Sequence, residues 1–129
     1  VILDASALLA LINSEEGSDI VESVLDISIM SAVNVSEVLA ELNTKLEIPI
    51  EKCKDMVLSL VTEIEDFDFK QSIYSAFLKH ETKKFGLSLG DRACLSLGKT
   101  LGLVIYTADS IWKNLNNNPN IGIQIKLIS

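Results

Sequence analysis

Short apolar runs that alternate with helical repeats predict a sheet whose strands are separated by helices. Strands are predicted at residues 1–3, 27–30, 64–69, 103–106 and 121–127. Helices are predicted at residues 5–12, from residue 14 onward, after Asn34, at 50–60, up to residue 85, from residue 88 or 90, and at 110–115. This alternation is typical of a parallel sheet covered by helices on both faces, so the predicted fold class is α/β.

Local signals place several side chains within these elements. Asn34 is predicted to cap the third helix, and Gly86 to stop the long helix that precedes it. Glu37 lies nearly opposite the apolar stripe of its helix, so we expect it to be exposed. Trp112 is expected in the core.

The composition predicts one globular domain spanning residues 1–129, with 48% hydrophobic residues. The longest apolar run, residues 7–12, is far shorter than the ~20 residues of a membrane-spanning helix. Asp4 interrupts the first apolar stretch, which has no basic start, so we expect neither a secretory signal nor a membrane anchor. We therefore expect a cytoplasmic protein, in which Cys53 and Cys94 stay reduced.

The net charge of −7 conceals an uneven distribution. Residues 1–68 contain 15 acidic residues and three lysines, whereas residues 69–129 contain eight basic residues and three acidic ones. A basic surface suited to nucleic acid is therefore available in the second half despite the acidic total.

Two acidic residues directly follow predicted strands. Asp4 follows the first strand and Asp109 the strand at 103–106, and each precedes a helix. Ligand sites of open α/β sheets lie beyond the carboxyl ends of strands, so these carboxylates can share a site. Asp is also a favoured helix cap, and that reading fits either residue alone.

Two more acidic residues stand three positions after a capping residue. Glu37 follows Asn34 and Asp91 follows Ser88, as in a capping box. The set of four argues for function, because converging carboxylates repel one another by roughly 3 kcal/mol per pair at about 5 Å. A hard cation such as Mg²⁺ removes this repulsion, prefers oxygen ligands and activates water against a phosphodiester.

Four segments along the whole chain resemble, in order, the motifs of PIN domains, and specifically the VapC-type toxins of bacterial toxin–antitoxin pairs. They are residues 1–10 around Asp4, residues 31–39 around Glu37, residues 87–98 around Asp91 and residues 106–112 around Asp109. The resemblance implies a PIN-like parallel sheet sandwiched by helices in a single domain.

The resemblance also implies an activity. Asp4, Asp91 and Asp109 would bind Mg²⁺ or Mn²⁺, and Glu37 would complete this catalytic set. A water activated by the metal would cleave RNA, leaving 5′-phosphate and 3′-hydroxyl ends. Some PIN relatives have a further acid shortly after the one matching Asp109. Here residues 111–113 are Ile, Trp and Lys, which puts a second metal in doubt.

Three residues near the acids are candidates for binding substrate. The hydroxyls of Ser6 and Thr107 can hold a carboxylate or a water, although both also suit helix starts. Arg92, the only arginine, can contact a substrate phosphate, pair with a carboxylate or remain solvated.

The resemblance implies partners as well. We expect an RNA substrate and a cognate antitoxin of VapB type that inserts an Arg or Lys into the acidic cleft. A homodimer within a larger toxin–antitoxin assembly is expected, through exposed apolar residues around the second and third helices.

Two alternatives remain open at this point. The chain can be a catalytically inactive PIN domain that serves as a binding scaffold. It can also be a receiver-type signalling domain, although Ala5 stands where such domains have a second acid.

Overall fold

The computed structural model describes residues 1–129, apart from the side chain of Asn117. Its core is a five-stranded sheet in which every neighbouring pair is parallel, with strand order β3-β2-β1-β4-β5. The strands are β1 (Ile2–Leu3), β2 (Ile29–Ser31), β3 (Glu63–Glu65), β4 (Ile105–Thr107) and β5 (Ile125–Leu127). β1 therefore lies in the centre of the sheet, which brings residue 4 close to the end of β4.

Helices connect the strands. They are α1 (Ala5–Ile12), α2 (Ser18–Ser23), α3 (Ala32–Lys45), α4 (Ile50–Leu60), α5 (Phe69–Glu81) and α6 (Leu89–Leu101), with 3₁₀ helices at Leu25–Ile27, Lys83–Phe85 and Ser110–Asn117. No helix of the described chain is long and apolar enough to cross a membrane.

Alternating side chains of the strands feed two cores, one on each face of the sheet. Leu3 and Met30 belong to the cluster that also contains residues of α1, α3 and α4. Ile2 and Ile105 belong to the other cluster, with residues of α5 and α6 and with the fully buried Trp112. Because successive residues of a strand point to opposite faces, this is the predicted parallel sheet sandwiched between helices.

The predicted elements exist, but several boundaries differ. α3 begins at Ala32, and its cap is Ser31, whose hydroxyl accepts a hydrogen bond from Val33 N. The prediction that Asn34 caps this helix is therefore wrong, since Asn34 lies inside the helix and is buried. The last strand starts at Ile125 rather than at residue 121.

Two further differences concern helix ends. The long helix predicted up to residue 85 stops at Glu81, and a 3₁₀ turn then leads to Gly86, which has a positive φ. The segment predicted as a helix at 110–115 is a 3₁₀ helix, Ser110–Asn117. Both cysteines are free and buried, as expected.

Candidate functional site

Asp4 caps α1 at the carboxyl end of the central strand and is only 5% exposed. Its Oδ1 accepts a hydrogen bond of 2.8 Å from the backbone N–H of Ala7, which is the capping contact expected from the sequence. Burial makes this aspartate more than a cap, because a carboxylate removed from water needs further partners.

Two hydroxyls supply those partners. Ser6 Oγ lies 2.8 and 2.9 Å from the two carboxylate oxygens of Asp4, and Thr107 Oγ1 donates to Oδ2. Of the roles that the sequence allows for these hydroxyls, the structure shows that both hold a carboxylate. Thr107 is fully buried, and a contact of Ser6 or Thr107 with substrate stays a prediction. Thr107 is a positioning residue.

The charge of Asp4 is nevertheless poorly stabilised. Burial raises the pKa of its carboxyl to about 6, although hydrogen bonds from Thr107, Ala7 and Ser6 act in the opposite direction. The negative charge of Asp91 raises this pKa further. A cation bound beside Asp4 would relieve both effects.

Cys94, on α6, marks the point where carboxylates from three helices converge. Burial raises the pKa of its thiol well above the usual value, and the charges of Asp4, Asp91 and Glu37 add to this effect. The thiol therefore stays protonated at neutral pH. Three of the four predicted acids thus contribute to the raised pKa of one buried thiol.

Glu37 lies in the second turn of α3 and is exposed, as predicted. Its carboxylate leans on Gly90, where an added Cβ would stand 2.5 Å from the Glu37 carboxyl carbon. Asn34 Nδ2 donates to Glu37 Oε1 at 2.8 Å and to the Gly90 carbonyl at 3.0 Å. The sequence prediction missed Asn34 and Gly90 as site residues. The available signal was an asparagine on the apolar side of the predicted helix, where a polar side chain needs a buried partner.

Asp91 combines the two roles that the sequence left open. Its Oδ2 accepts from Ser88 N at 2.9 Å, while Ser88 Oγ accepts from Asp91 N at 3.1 Å. This reciprocal pair is a capping box at the start of α6. Since Asp91 also acts electrostatically on Asp4 and Cys94, its capping role fixes it at the rim of the site.

Asp109 lies at the edge of this group. Its Oδ1 accepts from Ile111 N at 3.0 Å, and its own N–H donates to Thr107 Oγ1 at 3.0 Å. Its carboxylate thus caps the 3₁₀ helix Ser110–Asn117. The hydroxyl of Thr107 connects it to Asp4.

Arg92 is turned away from the carboxylates. Its guanidinium donates from Nη1 to the carbonyl oxygen of Ser75 on α5 at 3.0 Å. The structure does not bring it to the acids, although it follows Asp91 in sequence. It links α5 to α6, and its predicted contact with a substrate phosphate stays a prediction.

The carboxylates fit a hard cation that keeps part of its water shell better than a cation that protein side chains surround completely. Among the described residues, no three His, Cys, Asp or Glu side chains are arranged to ligate one ion together. Mg²⁺ keeps several waters and is held by one or two carboxylates, so Asp4 and Asp91 are a sufficient donor set. The protonated Cys94 offers nothing to a softer metal.

A groove of about 460 Å³ adjoins this site. Ser6 and Ala108 line it together with Glu15, Glu16 and Glu41. Ser6 also contacts Asp4 and so connects the groove to the site. The three glutamates make this groove acidic, as the site beside it is.

Comparisons with known proteins agree with this architecture. No curated protein sequence matches the chain. The DNA-bound VapBC complex of Salmonella typhimurium is similar in structure, with a TM-score of 0.72, 18% identity, and coverage of 99% of this chain and 97% of that one. A toxin–antitoxin complex of Klebsiella pneumoniae has a TM-score of 0.75, 18% identity and coverage of 100% and 98%.

A third similar structure is VapC20 of Mycobacterium tuberculosis, described as a toxin that cleaves the sarcin-ricin loop. It has a TM-score of 0.75 at 16% identity and covers 88% of this chain and 93% of that one. At these identities the likeness concerns the fold. A family model for the PIN domain matches residues 1–118. The chain therefore belongs to the PIN domain family.

Proposed function

We propose that this protein is a Mg²⁺-dependent endoribonuclease toxin of VapC type, for which Mn²⁺ can substitute. The observation that carries the proposal is the buried Asp4 carboxylate of a PIN domain, with Asn34 joining Glu37 to the backbone directly before Asp91. The likeness to toxin–antitoxin structures favours a toxin within this family. Membership of the PIN family removes the receiver-domain alternative, and the inactive scaffold remains the rival.

The residues of the site have distinct roles in this proposal. Asp4 and Asp91, with Asp109 at the edge, would hold the cation. Bound there, Mg²⁺ would orient and activate a water and stabilise negative charge on the phosphodiester. Ser6 and Thr107 keep the Asp4 carboxylate in one orientation. Glu37 is exposed on the open side, where it can accept a hydrogen bond from the attacking water.

The charge distribution supports an RNA substrate. Among the described residues, the lysine–carboxylate pairs within 4 Å join Lys45 to Glu41 and Lys54 to Glu51, both in the first half of the chain. The lysines of residues 69–129 have no such partner, so their charge is available to phosphates. His80 is exposed on α5 and lies outside the carboxylate group, so hydrolysis by the carboxylate site is favoured over a histidine route.

We further propose a basic antitoxin segment as the inhibitor. The acidic groove along Glu15, Glu16 and Glu41 leads to Asp4, so a segment lying in it can place an Arg or Lys at the carboxylates. Similar structures are themselves toxin–antitoxin complexes.

The proposed homodimer is better placed on α5 than on the helices expected from the sequence. Around α2 and α3, the large exposed hydrophobic residues of the described chain are Ile27 and Leu46, which lie just beyond the helix ends. Phe69, Ile73 and Phe77 form a stripe on α5, with exposed fractions of 80%, 58% and 43%. Their spacing of four residues places them on one face of the helix.

The decisive experiment compares RNA cleavage by the purified protein with cleavage by Asp91→Asn. Asn keeps the shape and most of the capping ability but removes the charge. Asp68→Asn is the control for the loss of a capping carboxylate at a helix start, because Asp68 caps α5 by accepting from Gln71 N. We expect Mg²⁺-dependent cleavage with 5′-phosphate products, about a hundredfold loss in Asp91→Asn and full activity in the control.

A scaffold would behave differently. It would leave RNA intact with either metal, and Asp91→Asn would then match the parent protein. Full activity of folded Asp91→Asn would contradict the assignment of this acid.

A further inference from the structure

Asn34 is the buried amide that joins α3 to the start of α6. It is 1% exposed, and both bonds from its Nδ2 are directed at the site, one to Glu37 Oε1 and one to the carbonyl oxygen of Gly90. Gly90 directly precedes Asp91. One amide group therefore contacts the Glu37 side chain and the backbone beside Asp91 at once.

The orientation of this amide is not interchangeable. Oδ1 of Asn34 is buried and has no hydrogen-bond partner among the described residues. A flipped amide would satisfy neither contact, since Oδ1 would then face a carboxylate oxygen and a carbonyl oxygen. A buried acceptor without a partner is unfavourable for folding. The observed orientation thus leaves Oδ1 unpaired, at a cost in folding stability, while both N–H groups of Nδ2 donate to Glu37 and Gly90.

Gly90 contributes by leaving room for the Glu37 carboxylate against α6. A Cβ at this position would collide with the Glu37 carboxylate, which therefore rests directly on the α6 backbone. Asp91 is held by its capping box, so the loss of Asn34 would remove the hydrogen bond that holds Glu37 beside α6 against the repulsion of Asp91.

We propose that Asn34 is a positioning residue that, together with Gly90, fixes Glu37 relative to Asp91 and so sets the cation affinity of the site. This inference rests on the proposed metal-dependent function. Hydrogen-bond partners of metal-site residues typically change metal affinity by about 10- to 100-fold when they are removed.

Asn34→Leu tests the proposal, because Leu has a similar shape and is a good helix former but offers no donor. We expect about 10- to 100-fold weaker Mn²⁺ binding by calorimetry, with unfolding in chelator little changed because the unpaired Oδ1 is also lost. Asn43→Ala is the matched control. Asn43 lies on the same helix, and its Nδ2 donates to Ile48 O, away from the acids. It should keep parental Mn²⁺ affinity.

A double-mutant cycle separates positioning from general structural support. In a Glu37→Ala background, which removes the acceptor of the Asn34 amide, Asn34→Leu should change Mn²⁺ affinity by no more than about twofold, because its effect passes through Glu37. Full Mn²⁺ affinity in folded Asn34→Leu would overturn the proposal. If Asn34→Leu does not fold, Gly90→Ala takes its place, since the colliding atoms belong to a movable side-chain end. It should show the same loss, and parental affinity would overturn the proposal.

Failure of the proposed function has a different signature. Parental protein that binds neither Mn²⁺ nor Mg²⁺ would refute the metal-dependent function and the claim about affinity. The same cycle on urea unfolding in chelator would still decide whether Asn34 and Glu37 are coupled, and additive effects there would refute the positioning role itself.

Discussion

Thr107 Oγ1 donates a hydrogen bond to Oδ2 of Asp4 and accepts one from the backbone N–H of Asp109. A single buried hydroxyl at the end of β4 therefore orients one acid and anchors the backbone of a second. Because β1 and β4 are neighbours in the sheet, this hydrogen bond joins the motif around Asp4 to the motif around Asp109.

Metal-free protein should lose stability as the pH rises from about 4 to about 6. The pKa of Asp4 is about 6 in the folded protein against a usual 3.8, so the folded state binds more protons across this window. The two-unit difference corresponds to about 3 kcal/mol. Asp4→Asn should lack this dependence and exceed the parent in stability at pH 7.

Urea unfolding at pH 4 and pH 7 in chelator measures this difference. Asp26→Asn, an exposed acid far from the site in sequence, serves as the control and should follow the parent. Equal pH dependence in parent and Asp4→Asn would show that Asp4 is not destabilised by burial.

Thr107→Val should destabilise the protein by about 1 to 3 kcal/mol, because it removes one donor to the buried Asp4 carboxylate and the acceptor of Asp109 N. The Thr107 hydrogen bond lowers the pKa of Asp4, so its loss should move the acidic limb of the activity profile to higher pH. Thr107→Ser retains the hydroxyl and should restore the parental profile. Identical profiles for the Val and Ser variants would contradict this role.

Inhibition by a basic antitoxin segment should weaken as Mg²⁺ increases. An Arg or Lys side chain would bind the same carboxylates, Asp4 and Asp91, as the cation, so the two compete. Titration of Mg²⁺ at constant ionic strength, with KCl as the balancing salt, checks this expectation. Inhibition that is unaffected by Mg²⁺, or by replacing every basic residue of the segment, would place the inhibitor elsewhere.

Self-association should depend on the α5 stripe. Phe69→Ser removes its most exposed member, and we expect the dimer to dissociate at concentrations at which the parent remains dimeric. Leu58→Ser on α4 removes a residue outside the stripe that is as exposed as Ile73 within it, and it should have no effect. Sedimentation velocity distinguishes the species. A monomeric parent would remove the stripe as a dimer surface.

The sequence was sufficient to predict a candidate site residue where the same residue also caps a helix. Asp4 and Asp91 are capping residues and site residues at once, so the same pattern located both roles. Helix α4 occupies the predicted residues 50–60, because Pro49 and the apolar repeat define it locally.

The remainder depends on contacts between distant segments. Asn34 resembles a cap from its neighbours, but its partner Gly90 lies 56 residues away. Arg92 follows Asp91 in sequence, yet the helical rotation between adjacent residues directs it to Ser75 on α5. Neither outcome can be read from spacing alone.

The central place of β1 in the sheet has a consequence for protein synthesis. β1 is translated first, but its partner β4 and the hydroxyl that orients Asp4 come from residues 105–107. A nascent chain released before this point has its first acid but not the strand that fixes it. The contacts that orient Asp4 therefore form only after β4 has left the ribosome, which leaves translation products that stop before β4 without the assembled site.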